Sequence, residues 1–143
     1  MTVIHDVEYA QAGLMKINLA GNAVAAGLVG QVLNPEGQAL HIIEGYLYIE
    51  VASTLASTYN IGIAATGVDA ADLISAFDMN AAVAGTVWRV IGTDLASEGA
   101  MTTPRGVDWG AAEFLTVTSA AFASTGLKAC LLLKYLRLGD LAQ

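Results

Sequence analysis

The stretch "ALHIIEGYLYIEVA", Ala39–Ala52, decides the fold, because it is a long run of the aromatic and branched residues that favour strands. In an extended chain, successive side chains point to opposite faces. One face would then carry Ala39, His41, Ile43, Gly45, Leu47, Ile49 and Val51, and the other Leu40, Ile42, Glu44, Tyr46, Tyr48 and Glu50. Both faces contain large apolar residues, so we predict a strand that is covered on both sides.

A turn precedes this strand at "NPEG", Asn34–Gly37. Asn34 supplies an acceptor oxygen at the first position, Pro35 fixes φ at the second, and Gly37 suits the fourth. These are the preferences of a type I turn. The sequence therefore predicts a hairpin between two core strands.

The second apolar face of the central strand requires a partner, since a β-sandwich buries only the inner face of each sheet. We expect a neighbouring subunit to cover it, with Tyr46 and Tyr48 as interface residues, because tyrosine combines a large contact area with a polar tip. Cover by the chain's own N-terminal arm is the alternative. The sequence leaves this choice open.

Further strands are predicted from short apolar runs that are separated by glycines and small residues. We place them at Thr2–Tyr9, Leu14–Ala20, Ala26–Leu33, Tyr59–Ala65, Thr86–Gly92, Glu113–Thr118 and Leu127–Leu138. The last segment has helical propensity as well, but Lys128, Lys134 and Arg137 do not form one polar helical face. A strand is therefore preferred there.

The segment "DAADLISAFD", Asp69–Asp78, predicts one short helix, with Asp69 or Asp72 as its cap. Many short strands, one helical turn and no alternation of strands with helices predict an all-β fold, an antiparallel β-sandwich of jelly-roll type. We divide the chain into residues 1–25, an N-terminal arm with the first strands, and residues 26–143, the sandwich domain.

The composition excludes several classes of protein. Of 143 residues, 13% are charged and 55% are apolar, which indicates that a partner covers part of the surface. The net charge of −7 argues against nucleic-acid binding. Charged residues interrupt every long apolar run, so we expect no membrane span. Asp6 and Glu8 stand where an export signal would be basic or apolar, so we expect synthesis in the cytoplasm.

Catalytic and metal-binding patterns are weak. His5 and His41, with Asp6 or Glu44, have the chemistry of metal ligands but not the spacing of a metal motif, so we expect ordinary strand histidines. Cys130 lies in an apolar strand and is expected to be a buried, inert thiol. No serine lies in a GxSxG elbow and no glycine-rich phosphate loop occurs. We therefore expect no enzyme activity and no cofactor.

The two tryptophans have different predicted roles. Trp88 lies in an apolar strand and is expected in the core. Trp109 lies in the loop "TTPRGVDWGAAE" with Arg105 and Asp108, where Arg105 and Trp109 are candidates for contact with a neighbouring subunit or a host surface. A solvated loop pair of Arg105 and Asp108 is the alternative.

Three stretches in succession carry a family resemblance. They are "GQVLNPEGQALHIIEGYLYIEVASTLASTYNIGIAATG", residues 30–67, "DLISAFDMNAAVAGTV", residues 72–87, and "WGAAEFLTVTSAAFASTGLKACLLLKYLRL", residues 109–138. Their turn, strand and helical-turn elements resemble, in the same order, a group of small tailed-bacteriophage virion structural proteins. The resemblance implies a jelly-roll-like capsid decoration or cement protein, commonly a homotrimer. Its partner would be the major capsid protein, and its location the capsid surface of the virion.

Three functions therefore remain at the level of sequence. The first is a decoration or cement protein, which explains the low charge and the doubly apolar strand. The second is a receptor- or carbohydrate-binding head or tail fibre module, which requires an exposed aromatic pocket such as one around Trp109. The third is a small β-sandwich enzyme or a cupin-like metal protein, which the missing ligand spacing disfavours.

Overall fold

The computed structural model describes residues 11–90 and 106–142, which fold into two antiparallel sheets. The strands of the described residues are β1 (Gly13–Ala20), β2 (Gly27–Leu33), β3 (Leu40–Val51), β4 (Thr58–Ala64), β5 (Ile74–Asp78), β6 (Val87–Val90), β7 (Val107–Trp109), β8 (Phe114–Ala121) and β9 (Lys128–Arg137). A short helix, α1 (Leu138–Leu141), follows β9. The predicted strand Thr2–Tyr9 lies outside the described residues.

The two sheets have the strand orders of a jelly roll. The larger sheet runs β1-β9-β3-β6, with β7 also paired to β3, and the smaller sheet runs β2-β8-β4-β5. The first four strands alternate between the sheets, so each connection crosses the sandwich. Such crossing connections and all-antiparallel pairing are typical of the two Greek keys of a jelly roll. The predicted fold class is confirmed.

A bulge in β3 decides which side chains face the core. The register of β3 on β9 shifts between Ile42 and Glu44, so Ile43 is an extra residue. As a result Leu40 and Ile42, before the bulge, lie on the same buried face as Leu47 and Ile49, after it. Strict alternation would place Leu40 and Ile42 with the tyrosines, and that part of the sequence prediction is wrong.

The core lies between the sheets and consists of large apolar side chains from both. Fully buried members are Trp109, Tyr59, Leu40, Leu47, Ile49, Ile61, Leu73, Met79, Leu115, Leu127, Leu131 and Leu133. Alternation is clear in β9, where each buried residue is followed by a more exposed one. This alternation confirms the preference for a strand at the end of the chain.

The turn at Asn34–Gly37 forms, but it does not close a hairpin. It connects β2 of the smaller sheet to β3 of the larger sheet, so the predicted pairing across it is wrong. The Asn34 side chain is buried and donates hydrogen bonds to the backbone oxygens of Gln38, Trp109 and Gly110 at 2.9, 3.0 and 3.1 Å. Its Oδ1 accepts a hydrogen bond from the backbone N–H of Glu36 at 3.0 Å. Asn34 therefore joins the turn to β7.

The predicted helix at Asp69–Asp78 is also wrong. Its second half is the strand β5, which pairs with β4, and Ala76 has a positive φ of 51°. Asp69 and Asp72 do not cap a helix, because their carboxylates bind groups on the smaller sheet. Within the described residues the short helix is α1, at the C-terminal end.

The first described strand is part of the larger sheet. β1 pairs with β9 along its whole length, from Gly13 opposite Tyr135 to Ala20 opposite Lys128. Residues 1–10 of the predicted N-terminal arm lie outside the described residues. Among the residues that are described, no helix is long and apolar enough to cross a membrane.

A charged cluster joins the turn to the end of β9. Glu36 accepts hydrogen bonds from Arg137 Nε at 2.9 Å, from Arg137 Nη2 at 3.0 Å and from the Tyr135 hydroxyl at 2.5 Å. The hydrogen bonds from Arg137 and then from Tyr135 lower the pKa of Glu36 from 4.5 to about 2. A carboxylate that binds a guanidinium through two N–H groups is held in one geometry. The cluster thus fixes the turn on the larger sheet.

We predict that Glu36→Gln lowers the stability of the protein at neutral pH. Because the folded-state pKa is below the unfolded one, this stabilisation is complete above pH 4.5 and is lost as the pH falls to about 2. The free energy of unfolding, measured by urea titration, should therefore differ less between variant and wild type as the pH falls from 4.5 to about 2. Glu50→Gln, at an exposed residue, is the control. If the difference in the free energy of unfolding stayed constant between pH 7 and pH 2, the ionised Glu36 carboxylate would not be the source of the stabilisation.

We also predict that Asn34→Asp destabilises the fold by about 3 kcal/mol, because a carboxylate cannot donate to the three backbone oxygens that surround it. The free energy of unfolding from urea titrations measures the effect. Asn18→Asp, at an exposed residue of β1, introduces the same chemical change and should have little effect. Equal losses in both variants would show that the Asn34 contacts are not the cause.

Candidate functional site

The outer face of the larger sheet is the candidate site, and it is defined by side chains that point away from the smaller sheet. They are Leu14, Lys16 and Asn18 of β1, Lys128, Cys130, Leu132 and Lys134 of β9, Glu44, Tyr46, Tyr48 and Glu50 of β3, and Val87 and Arg89 of β6. Each alternates in sequence with residues that point inward, except at a second register shift where Glu50 is followed by the exposed Val51. Four strands therefore contribute to one continuous surface.

Two rows of side chains cross the middle of this face. In one row the strand register places Lys16, Leu132, Tyr46 and Arg89 side by side. In the next row it places Asn18, Cys130, Tyr48 and Val87 side by side. The two central strands thus supply a half-buried, mainly apolar centre, and the outer strands supply its more exposed edges.

Tyr46 is held by its neighbours on this face. Its hydroxyl donates a hydrogen bond to Glu44 Oε2 at 3.0 Å, and Glu44 Oε1 lies 3.5 Å from Arg89 Nη2. The hydrogen bond to Glu44 raises the pKa of Tyr46. An exposed ion pair such as Glu44 with Arg89 contributes little to stability by itself. Its effect here is to orient the Tyr46 ring on the surface.

A histidine and an aspartate lie next to one end of the outer face, where β3 pairs with β7. His41 Nδ1 lies 2.6 Å from Asp108 Oδ1, across the pairing of β3 with β7. Asp108 is exposed and the His41 ring is partly buried. Among the described residues, no group of three or more His, Cys, Asp or Glu side chains is placed to hold a metal ion. His5 and Asp6 lie outside that part of the chain.

The structure brings together two of the four predicted interface residues. Tyr46 and Tyr48 lie next to each other on the outer face. Trp109 is 0% exposed and donates from Nε1 to the backbone oxygen of Glu113 at 2.8 Å, so the prediction of an exposed ring is wrong. It is buried because β7 pairs with β3 and turns the ring into the core. Arg105 lies outside the described residues.

Trp88 and Cys130 also differ from their predicted positions. Trp88 is 40% exposed and packs edge-on against Phe77, with the ring centroids 5.4 Å apart. The ring therefore lies at an edge of the sandwich, where β6 approaches β5, and not in the core. Cys130 is only partly buried, since its side chain is on the outer face beside Tyr48.

A loop of the chain covers the part of the smaller sheet's outer face that β4 forms. The loop between β4 and β5 lies over β4, where Asp72 Oδ1 accepts a hydrogen bond from the Ile63 N–H at 2.7 Å. Burial raises the pKa of Asp72. Gly62 permits this close approach, because a Cβ there would lie 2.1 Å from Asp72 Oδ1. The chain thus covers the β4 side of this sheet itself, while Leu28 and Leu33 of β2 stay exposed.

A cleft of about 350 Å³ borders this loop. Its lining includes Leu28, Asn60, Asp69 and Thr118. The Asp69 carboxylate accepts hydrogen bonds from the Thr118 hydroxyl at 2.5 Å and from Asn60 Nδ2 at 3.1 Å. These hydrogen bonds attach Asp69, and with it the loop, to β4 and β8.

Sequence reasoning found the tyrosines but missed their neighbours. Lys16, Leu132 and Arg89 join them only because β1, β9 and β6 pair in one sheet. The alternation in Leu14–Ala20 and in Leu127–Leu138 indicates which of their residues point outward. It does not indicate which strands are adjacent.

Comparisons with known proteins give one fold similarity. No protein-family model matches the chain, and no curated protein matches it significantly. Among solved structures, the fold is similar to that of a chain in the capsid of Ralstonia phage GP4, with a TM-score of 0.55 and 20% sequence identity. The match covers 96% of this chain and 90% of that chain. At this identity the similarity concerns the fold.

Proposed function

We propose that this protein is a non-enzymatic structural protein of a phage virion, which decorates the assembled head shell and stabilises it. The similarity to a phage capsid chain over 96% of the present chain is the observation that carries the proposal. The similarity covers nearly the whole of both chains, so it concerns the complete jelly roll and not a shared pair of strands. The resemblance of the sequence to virion structural proteins points the same way.

The outer face of the larger sheet supports a role in binding. It presents Tyr46 and Tyr48 beside Leu132 and Val87 on one surface, and aromatic residues such as tyrosine are enriched in protein interfaces. A protein that binds the assembled shell, and not its separated subunits, stabilises the shell by mass action. Contacts repeated over a symmetric shell act together, so each can be weak.

We further propose the major capsid protein as the partner, the capsid surface as the location and a homotrimer as the assembly. Three copies joined around one axis would present three binding surfaces to the shell at once. Their combined binding would exceed that of a single copy by multivalency. This arrangement also allows the trimer contacts to cover further apolar surface of a chain with few charged residues.

A receptor- or carbohydrate-binding module is the alternative function. The aromatic pocket expected around Trp109 depends on an exposed ring, and that ring is fully buried. The cleft beside Asp69 has a polar side chain for sugar hydroxyls, but its carboxylate already binds Asn60 and Thr118. Shell decoration is therefore the better supported proposal.

We predict that the purified full-length protein binds shells that lack it. The protein should sediment with assembled shells and raise the temperature at which they break apart, because it binds the assembled state. Light scattering of the free protein should give the mass of a trimer. Unassembled capsid subunits and an unrelated protein of similar net charge serve as controls.

Other results would favour the alternative function, a receptor- or carbohydrate-binding module. A protein that does not sediment with shells, leaves their melting temperature unchanged and binds glycans on an array would contradict the proposal. Equal binding to shells and to unassembled subunits would remove the stabilising role, since mass action then favours neither state.

A further inference from the structure

The outer face of the larger sheet differs in charge from the rest of the described chain. The protein has a net charge of −7. The cations on this face are Lys16, Arg89, Lys128 and Lys134, and its carboxylates are Glu44, Glu50 and, at one end, Asp108. The other described residues provide one cation, Arg137, and six carboxylates, Glu36, Asp69, Asp72, Asp78, Glu113 and Asp140. The positive charge is thus concentrated on one side of the sandwich.

Part of the negative charge on this face is already paired. Glu44 lies 3.5 Å from Arg89, and Asp108 lies 2.6 Å from His41. Lys16, Lys128 and Lys134 are exposed and surround the centre that Tyr46, Tyr48, Leu132 and Cys130 form. An apolar, aromatic centre with a charged rim is the usual anatomy of a specific protein interface.

We infer that this face docks onto an acidic protein surface of the assembled shell, one that presents carboxylates around exposed apolar side chains. The inference rests on the proposed function and adds the docking face and the chemistry of its partner. Carboxylates of the shell would lie against Lys16, Lys128 and Lys134, and apolar side chains against the tyrosines. Opposite charges on the two rims of an interface select the partner and fix its orientation.

A second copy of the chain is a poorer occupant of the same face. In a two-fold dimer the same patch contacts itself, so a face with four cations and three carboxylates would meet a face of the same net positive charge. Like charges opposed across an interface are unfavourable. A shell surface that carries carboxylates satisfies these lysines and still covers the tyrosines. The more acidic sides of the sandwich then point away from the shell.

Charge and contact area are tested with separate variants of the full-length protein. Lys16→Gln with Lys134→Gln removes two positive charges from exposed positions of the face. Ala65→Glu with Thr66→Glu makes the same change in net charge on the exposed loop after β4. Tyr48→Ser removes an aromatic ring from the centre, and Leu33→Ser removes an exposed apolar side chain from the smaller sheet. Circular dichroism and melting temperature establish that each variant folds.

Affinity for shells that lack the protein is the measured quantity. We expect the double lysine variant to bind about fivefold more weakly and Tyr48→Ser about tenfold more weakly. The affinity of the loop variant and of Leu33→Ser for shells should stay within about twofold of wild type, as expected for residues outside the interface.

The outcomes separate this inference from the proposed function. Wild-type protein that does not bind shells contradicts the function itself. Wild-type protein that binds, together with folded outer-face variants that bind equally well, overturns only the docking face. If Tyr48→Ser or the lysine variant instead converts an oligomer to monomers by light scattering, the face is a contact between copies and the inference is wrong.

Discussion

The pairing of β3 with β9 is the interaction on which the rest of the larger sheet depends. These strands run antiparallel from Leu40 opposite Arg137 to Val51 opposite Lys128, and both are flanked by shorter strands. Among residues 11–90 and 106–142, β1 pairs only with β9, while β6 and β7 pair only with β3. The inward side chains of the pair, among them Leu47 and Leu131, are fully buried and form the middle of the core. The same backbone pairing places their outward neighbours beside one another.

The bulge at Ile43 interrupts the pairing of β3 with β9 and so decides which side chains of β3 face the core. Without the extra residue, Leu40 and Ile42 would point outward together with Tyr46 and Tyr48. The first half of β3 would then contribute no large side chains to the core. With it, both halves of the strand contribute to the core, and the outward apolar residues are concentrated near the tyrosines. One extra residue in the register therefore turns Leu40 and Ile42 into the core while Tyr46 and Tyr48 stay on the outer face.

The sequence was sufficient for the type of fold and for the tyrosine pair, but not for features that depend on contacts distant in the chain. The alternation in Leu14–Ala20 and the composition of Ala39–Ala52 are local signals, and both segments are strands. Asp69–Asp78 has a helix-like pattern, but pairing with β4 and the carboxylate contacts of Asp69 and Asp72 outweigh that weak propensity. β7 has three residues, too few for a periodic pattern, and without it the burial of Trp109 is not predictable. Nothing local to the turn at Asn34 indicates that its two strands belong to different sheets.

The two outer faces of the sandwich differ in how the chain itself covers them. On the smaller sheet, the loop after β4 covers the outer side of that strand, and Gly62 with Asp72 permits it to lie directly on the strand. On the larger sheet, the corresponding surface is made of Tyr46, Tyr48 and Leu132, whose side chains are turned away from the core. A side chain that points away from the core contributes little to the buried area that stabilises the monomer. Another protein that covered these tyrosines would bury their rings, and the surrounding lysines would favour a partner surface that carries carboxylates.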